Sequence, residues 1–319
     1  MALRNALMVK SGIELEVGEA VEIQADTGES FLVKDVIVSN PAVDYVDFYI
    51  DKTSVGRFRV KATLGNHLAR GIGNGVPEVL PEVETRRSMT ILRFLEDVGI
   101  FKGYPIAEGQ TFSVKPSDSS KSMGHCLIIY EVYDAGDITA EQENGTLSDT
   151  YLLLSYGQIS ETIDEQGEYR YDKSNIPAEF PQFPFGEVVP AKTTIEIYGI
   201  IGSEVMYYKD PNNYIYTTYL KLMKGREVLN DEDRNGIPLY GVSGVSGTDV
   251  HTFGRGLSII GNHSDLDVRQ PLIFTEPMIF EAGEELTVTL KVAKEGTDAI
   301  SIDNKYTEIA FIEKVKRTA

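Results

Sequence analysis

At 319 residues, with 42% hydrophobic content and a formal net charge of −19, the chain is long enough for two domains with real cores and too apolar for a disordered polymer. That acidity argues against direct nucleic-acid binding by the body of the fold, because phosphate contacts need clustered Lys and Arg. A single cysteine, Cys126, removes an internal disulfide and a cysteine metal cluster from consideration; with Leu127, Ile128 and Ile129 beside it, it reads as a buried thiol.

In chain order, the first ten residues lack the apolar core of a signal peptide, and no later stretch offers 18 uncharged apolar residues, so synthesis in a cytoplasm is expected. Ile13, Leu15 and Val17 alternate, followed by Val21 and Ile23 after Gly18, which predicts two short strands or one bulged strand. Asp26-Thr-Gly28 turns the chain into a Val- and Ile-rich run, Phe31 to Ser39, ended by Asn40-Pro41. Val43 to Asp51 and Ser54 to Thr63 predict a hairpin. Residues 64–81 hold four glycines and two prolines and predict a long loop; Gly71-x-Gly73-x-Gly75 lacks the spacing, Lys and following helix of a phosphate loop. Met89, Leu92 and Leu95 with Ile91, Phe94 and Val98 predict one short helix within 84–98.

Glu141 to Gly145 is polar, Tyr151 to Tyr156 is one apolar run, and Ile159 to Asn175 is acidic and polar until Pro177-Ala-Glu-Phe-Pro-Gln-Phe-Pro-Phe-Gly186. Alternating Phe and Pro makes poor helix and poor central strand but a serviceable extended arm, so residues 141–186 are expected to link two domains, 1–140 and 187–319. Phe180, Phe183 and Phe185 are then expected to be covered by a neighbouring unit. Thr194 to Val205, Tyr214 to Met223, Leu257 to Ile260, Pro271 to Thr275, Glu285 to Val292 and Thr307 to Lys314 read as strands, with a second long loop at 225–256.

The two halves echo each other. Aligning Gly109 with Gly283 puts Phe112 on Leu286 and Val114 on Val288, and each turn-plus-strand is followed by a last apolar strand, Cys126 to Tyr133 or Thr307 to Val315. The fold class expected is all-β: two tandem antiparallel β-sandwiches with inserted loops and one helix.

Few motifs carry chemistry. In Asp231-Glu-Asp233-Arg-Asn235-Gly236-Ile237, oxygens at positions 1, 3 and 5 with Gly at 6 have the spacing of a Ca²⁺ loop, but the twelfth position is Val242 instead of a bidentate acid; Asp, Asn and Gly equally build a plain turn. The four histidines lack metal-ligand spacing, and no nucleophile elbow, zinc helix or phosphate loop occurs, so no catalytic residues are assigned. Arg4 and Lys10 at one end, and Lys314, Lys316 and Arg317 at the other, make both ends basic on an acidic body. They fit contact with an anionic lipid surface or a nucleic acid, or else frayed solubilising ends.

Two tandem sandwiches of roughly 130 residues, with loops and a helix inserted among strands and an extended arm between them, resemble the double jelly-roll major capsid proteins of tailless icosahedral viruses of bacteria and archaea. The resemblance implies a non-enzymatic virion protein forming homotrimers that look pseudo-hexagonal, in contact with shell neighbours, other virion proteins and an internal membrane. The loops at 64–82 and 225–256 would then face outward. The alternative is a carbohydrate-binding or host-adhesion spike using tyrosines such as Tyr207, Tyr208, Tyr214 and Tyr216.

Overall fold

The computed structural model describes residues 3–60, 66–69, 71–72, 87–137, 142–143, 146–147, 152–202, 206–210, 213–230, 234–239, 271–302 and 304–318. Two compact units divide the chain, the first built on Met1–Leu153 with Lys314–Ala319, the second on Leu154–Asn262 and Arg269–Glu313.

The first unit contains β1 (Leu3–Gly12), β2 (Val21–Gln24), β3 (Glu29–Ser39), β4 (Tyr45–Ile50), β5 (Thr53–Arg59), the two-residue pair β6 (Gly71–Ile72) and β7 (Arg87–Ser88), α1 (Ile91–Asp97), β8 (Tyr104–Ile106), β9 (Thr111–Pro116) and β10 (His125–Asp134). Its sheets run β1-β10-β3-β8 and β2-β9-β4-β5, with antiparallel neighbours throughout. Inward positions of both sheets supply the core: Val33, Val36 and Val38 from β3, Phe48 from β4, Phe58 from β5, Phe112 and Val114 from β9, and Cys126 and Ile128 from β10. Phe48 is the hub of an aromatic cluster, 4.5 Å from Phe58, 5.4 Å from Phe112 and 5.7 Å from Tyr104 between ring centroids. Cys126 is a buried free thiol, as its flanks foretold.

Helix α1 is shorter than the 84–98 expected. Thr90 caps it, its hydroxyl accepting the Arg93 N–H at 3.2 Å, so the first turn starts at Ile91; Ile91, Leu92, Phe94 and Leu95 are buried. Residues 13–17 are no strand. Glu14 has φ of 52°, which breaks the extended path, and Ile13 and Val17 are left exposed.

Two short strands, β11 (Gln142–Glu143) and β12 (Thr146–Leu147), precede the second unit, whose strands are β13 (Leu152–Gln158), β14 (Gly167–Arg170), β15 (Lys173–Ser174), β16 (Thr193–Ile201), β17 (Met206–Asp210), β18 (Asn213–Lys224), β19 (Glu227–Val228), β20 (Ile237–Pro238), β21 (Leu272–Phe280), β22 (Leu286–Glu295) and β23 (Ile309–Thr318). One sheet runs β13-β23-β16-β21; the other runs β14-β22-β18, with β17, β19 and β20 also pairing with β18. Counted in chain order, the eight principal strands of the first unit lie 1-8-3-6 in one sheet and 2-7-4-5 in the other. The second unit repeats this order, with β19 and β20 as a broken fifth strand. This is the jelly-roll winding of an antiparallel ribbon.

The repeated glycines occupy the same turn in each winding. Gly109 (φ 81°) joins β8 to β9 and Gly283 (φ 85°) joins β21 to β22, both in the left-handed region that glycine adopts without strain. Gly109 donates to the Ala25 carbonyl at 2.8 Å while Ala25 donates to Gln110 at 3.0 Å; Gly283 donates to Val189 at 2.8 Å while Val189 donates to Glu284 at 2.9 Å. Phe112 and Leu286, then Val114 and Val288, are buried at the matching positions beyond.

The stretch 141–186 is not a linker. Its apolar run from Leu152 to Tyr156 is buried strand β13, and β14 and β15 lie within it too, so the second sandwich begins some 35 residues earlier than position 187.

Candidate assembly surface

The expected arm turns inward. Phe183 and Phe185 belong to the second unit's own core, their rings 5.0 Å from Phe280 and 5.6 Å from Phe311 respectively, and Phe180 is half-buried. Ser155 donates to the Phe183 carbonyl at 2.7 Å, and the Phe185 ring lies so close over Gly157 that a Cβ there would stand 2.1 Å from it. The Pro residues keep this segment out of the ladders, while its rings fill the sandwich. It therefore leaves no apolar patch for a neighbour to cover, and the reading of Phe180, Phe183 and Phe185 as an assembly arm is corrected.

The basic ends are structured. Residues 3–12 form strand β1, and Arg4 lies beside Asp134 and 3.8 Å from Glu29, so its charge is engaged by the first unit's own carboxylates. Lys10 is exposed on β1. Lys314 and Lys316 are half-buried and Arg317 exposed toward the end of β23, where Arg317 is in register with Leu147 of β12. All five fall in the first unit, to which the last part of β23, from Lys314 onward, belongs while Ile309–Glu313 belong to the second. Frayed ends are ruled out by the ladders on both strands.

Of the calcium-loop residues, Asp231 and Asp233 lie outside the described residues. Asn235 is half-buried between Arg234 (φ 62°) and Gly236 (φ 113°), and a Cβ at Gly236 would fall 2.5 Å from the Leu220 carbonyl oxygen. A tight turn leading into β20 accounts for these three residues. Among the described residues, no group of three or more His, Cys, Asp or Glu is placed to hold a metal, and no helix is long and apolar enough to cross a membrane. Tyr216 is half-buried, and burial with nearby Glu295 raises its phenol above the ordinary value; the side chains of Tyr207, Tyr208 and Tyr214 lie outside the described residues.

A buried polar group ties α1 to the first sandwich. The Asp35 carboxylate accepts the Val36 N–H at 2.9 Å and the Thr90 hydroxyl, and the His67 carbonyl accepts the Ile91 N–H at 2.7 Å. Arg59 Nη2 stands 3.1 Å from His67 Nε2. A guanidinium only donates, so that nitrogen is the acceptor and the His67 proton sits on Nδ1. These contacts anchor a helix and a loop rather than face solvent.

What the surface does present is β1. Every side chain from Leu3 to Ser11 is exposed, including Leu7 at 63% and Val9 at 51%, on both faces of the strand. Of nine large hydrophobic residues exposed among the described residues, six (Leu3, Leu7, Met8, Val9, Ile13 and Val17) lie in this opening segment. One edge of β1 is paired with β10 and no strand is paired with the other among the described residues. The sequence signal for this is the apolar Leu3, Leu7 and Val9 at odd positions, interspersed with the charges of Arg4 and Lys10. No protein-family model matches the chain, and no curated protein matches it in sequence.

Proposed function

We propose that the chain is a structural shell protein, a major capsid protein of the double jelly-roll kind, assembling with its own copies as trimers. The observation that carries this reading is the repetition of one strand order, 1-8-3-6 over 2-7-4-5, in both halves of a single chain, with reciprocal hydrogen bonds at Gly109 and Gly283. A pair of jelly rolls per subunit gives a trimer six similar sandwiches, the number a hexagonal packing of capsomers requires. Both sandwiches close their cores internally, which leaves strand edges and loops as the surfaces through which copies meet. The test is the native mass of the purified protein by light scattering, followed by electron microscopy at high protein concentration. Trimers of about three times 35.3 kDa and hexagonally packed arrays are expected. A strict monomer that binds immobilised glycans would transfer the fold to the adhesion reading.

A further inference from the structure

We infer that β1 is the docking strand of the subunit and that its occupant is the acidic surface of a second copy of this chain. The inference rests on the reading that the chain assembles with itself and names the surface involved. In the first unit the other edge strands are poor docking sites: β8 has three residues, β2 has four, and β5 is almost wholly buried. Among the described residues of that unit, ten-residue β1 alone is long, exposed and apolar, with a row of backbone donors and acceptors along its outer edge. It is also the basic segment. Residues 1–13 carry Arg4 and Lys10 with no acid, so the remaining chain carries −21, the total of −19 less these two positive charges. Apolar side chains together with a cation on an acidic protein complement that protein's own surface.

The contact is head-to-tail rather than two-fold. The ladder between β1 and β10 is regular only from Met8 to Gly12, with shifts between Leu3 and Asn5 and between Asn5 and Met8. A two-fold pairing centred on the regular part would set Lys10 against Lys10 of the second copy, and like charges directly opposed destabilise a strand pair. A heterologous contact avoids this, and a three-fold rotation between copies closes it into the trimer ring of the assembly reading. A lipid surface suits β1 less well: apolar residues occupy both of its faces, and hydrocarbon cannot satisfy the open ladder edge.

The experiment compares wild type, the double variant Leu7→Asp/Val9→Asp, and Lys10→Glu by light scattering over a concentration series at low and high salt, with thermal melts and flotation on anionic phosphatidylserine vesicles. Wild type is expected to associate. The double variant should be monomeric, with a melt that matches wild type at concentrations too low for association, since both side chains are already exposed, and Lys10→Glu should raise the dissociation constant about tenfold at low salt, with the difference shrinking as salt rises. Oligomers that persist in both variants would overturn the role of β1 while leaving the assembly reading standing. A wild type that stays monomeric at every concentration would overturn both. Vesicle flotation lost in the variants, with oligomers intact, would move β1 to a lipid surface and overturn the inference.

Discussion

Glu313 offers a stability test worked directly from the structure. Its carboxyl is fully buried on β23, on the same face as the core residues Ile309 and Phe311, and neither oxygen has a hydrogen-bond partner. Burial without a compensating charge pushes this carboxyl well above the usual range. The folded protein therefore keeps a proton that the unfolded chain releases above a pH of about 4.3. From there upward the folded state loses about 1.4 kcal/mol of stability per pH unit, until the folded group itself ionises. Below that pH the loss is absent. Replacing Glu313 by Gln removes the titration but keeps a buried polar group; Glu313→Met removes both, and the polar burial adds roughly 1–3 kcal/mol. Thermal melts of the three proteins at pH 5 and pH 6 separate the effects. Glu313→Gln should gain about 1.4 kcal/mol on wild type between these two pH values, roughly 3–6 °C in Tm, and Glu313→Met should lie above Glu313→Gln at both. A Glu313→Gln gain that does not change with pH would show that the carboxyl is solvated or paired, and the reasoning would fail.

Gly157→Ala should destabilise by about 1–3 kcal/mol, because its Cβ would meet the Phe185 ring, and Phe185→Ala in the same background should recover part of that loss in a double-mutant cycle of denaturant melts. Gly109→Ala and Gly283→Ala each meet open space and bear only the strain of a left-handed φ, so both should cost about 1–2 kcal/mol and by similar amounts; widely unequal values would undo the equivalence of the two turns. Burial pushes the Cys126 thiol up to about 12, so a thiol reagent at pH 8 should label it only as fast as the first unit opens. The Arg57–Asp47 pair, with contacts of 2.6 and 2.8 Å, holds β5 to β4, and Asp47→Ala should cost about 2 kcal/mol in chemical denaturation.

The residues themselves determined the β class, the tandem repeat and the two equivalent glycine turns. Alternation at Phe112 and Val114, and at Leu286 and Val288, is a local property of a half-buried strand, and a left-handed turn demands glycine wherever it occurs. The short helix was legible too, although apolar spacing alone placed its start several residues before the Thr90 cap. Tertiary structure decided what local pattern could not. Whether the Phe-Pro segment covers a neighbour or fills its own core depends on where Gly157 and Ser155 lie when the sandwich closes, a matter of contacts distant in sequence. Strand order, which makes each half a jelly roll, follows from which edges meet, and period-2 alternation is the same for any order. The exposure of β1 is also a tertiary fact: Leu7 and Val9 have the composition of core residues, and only the place of β1 at a sheet edge, with both faces uncovered, makes them surface. Glu313 is the converse, an acid that composition assigns to solvent and that the closing of β23 against its neighbours removes from water.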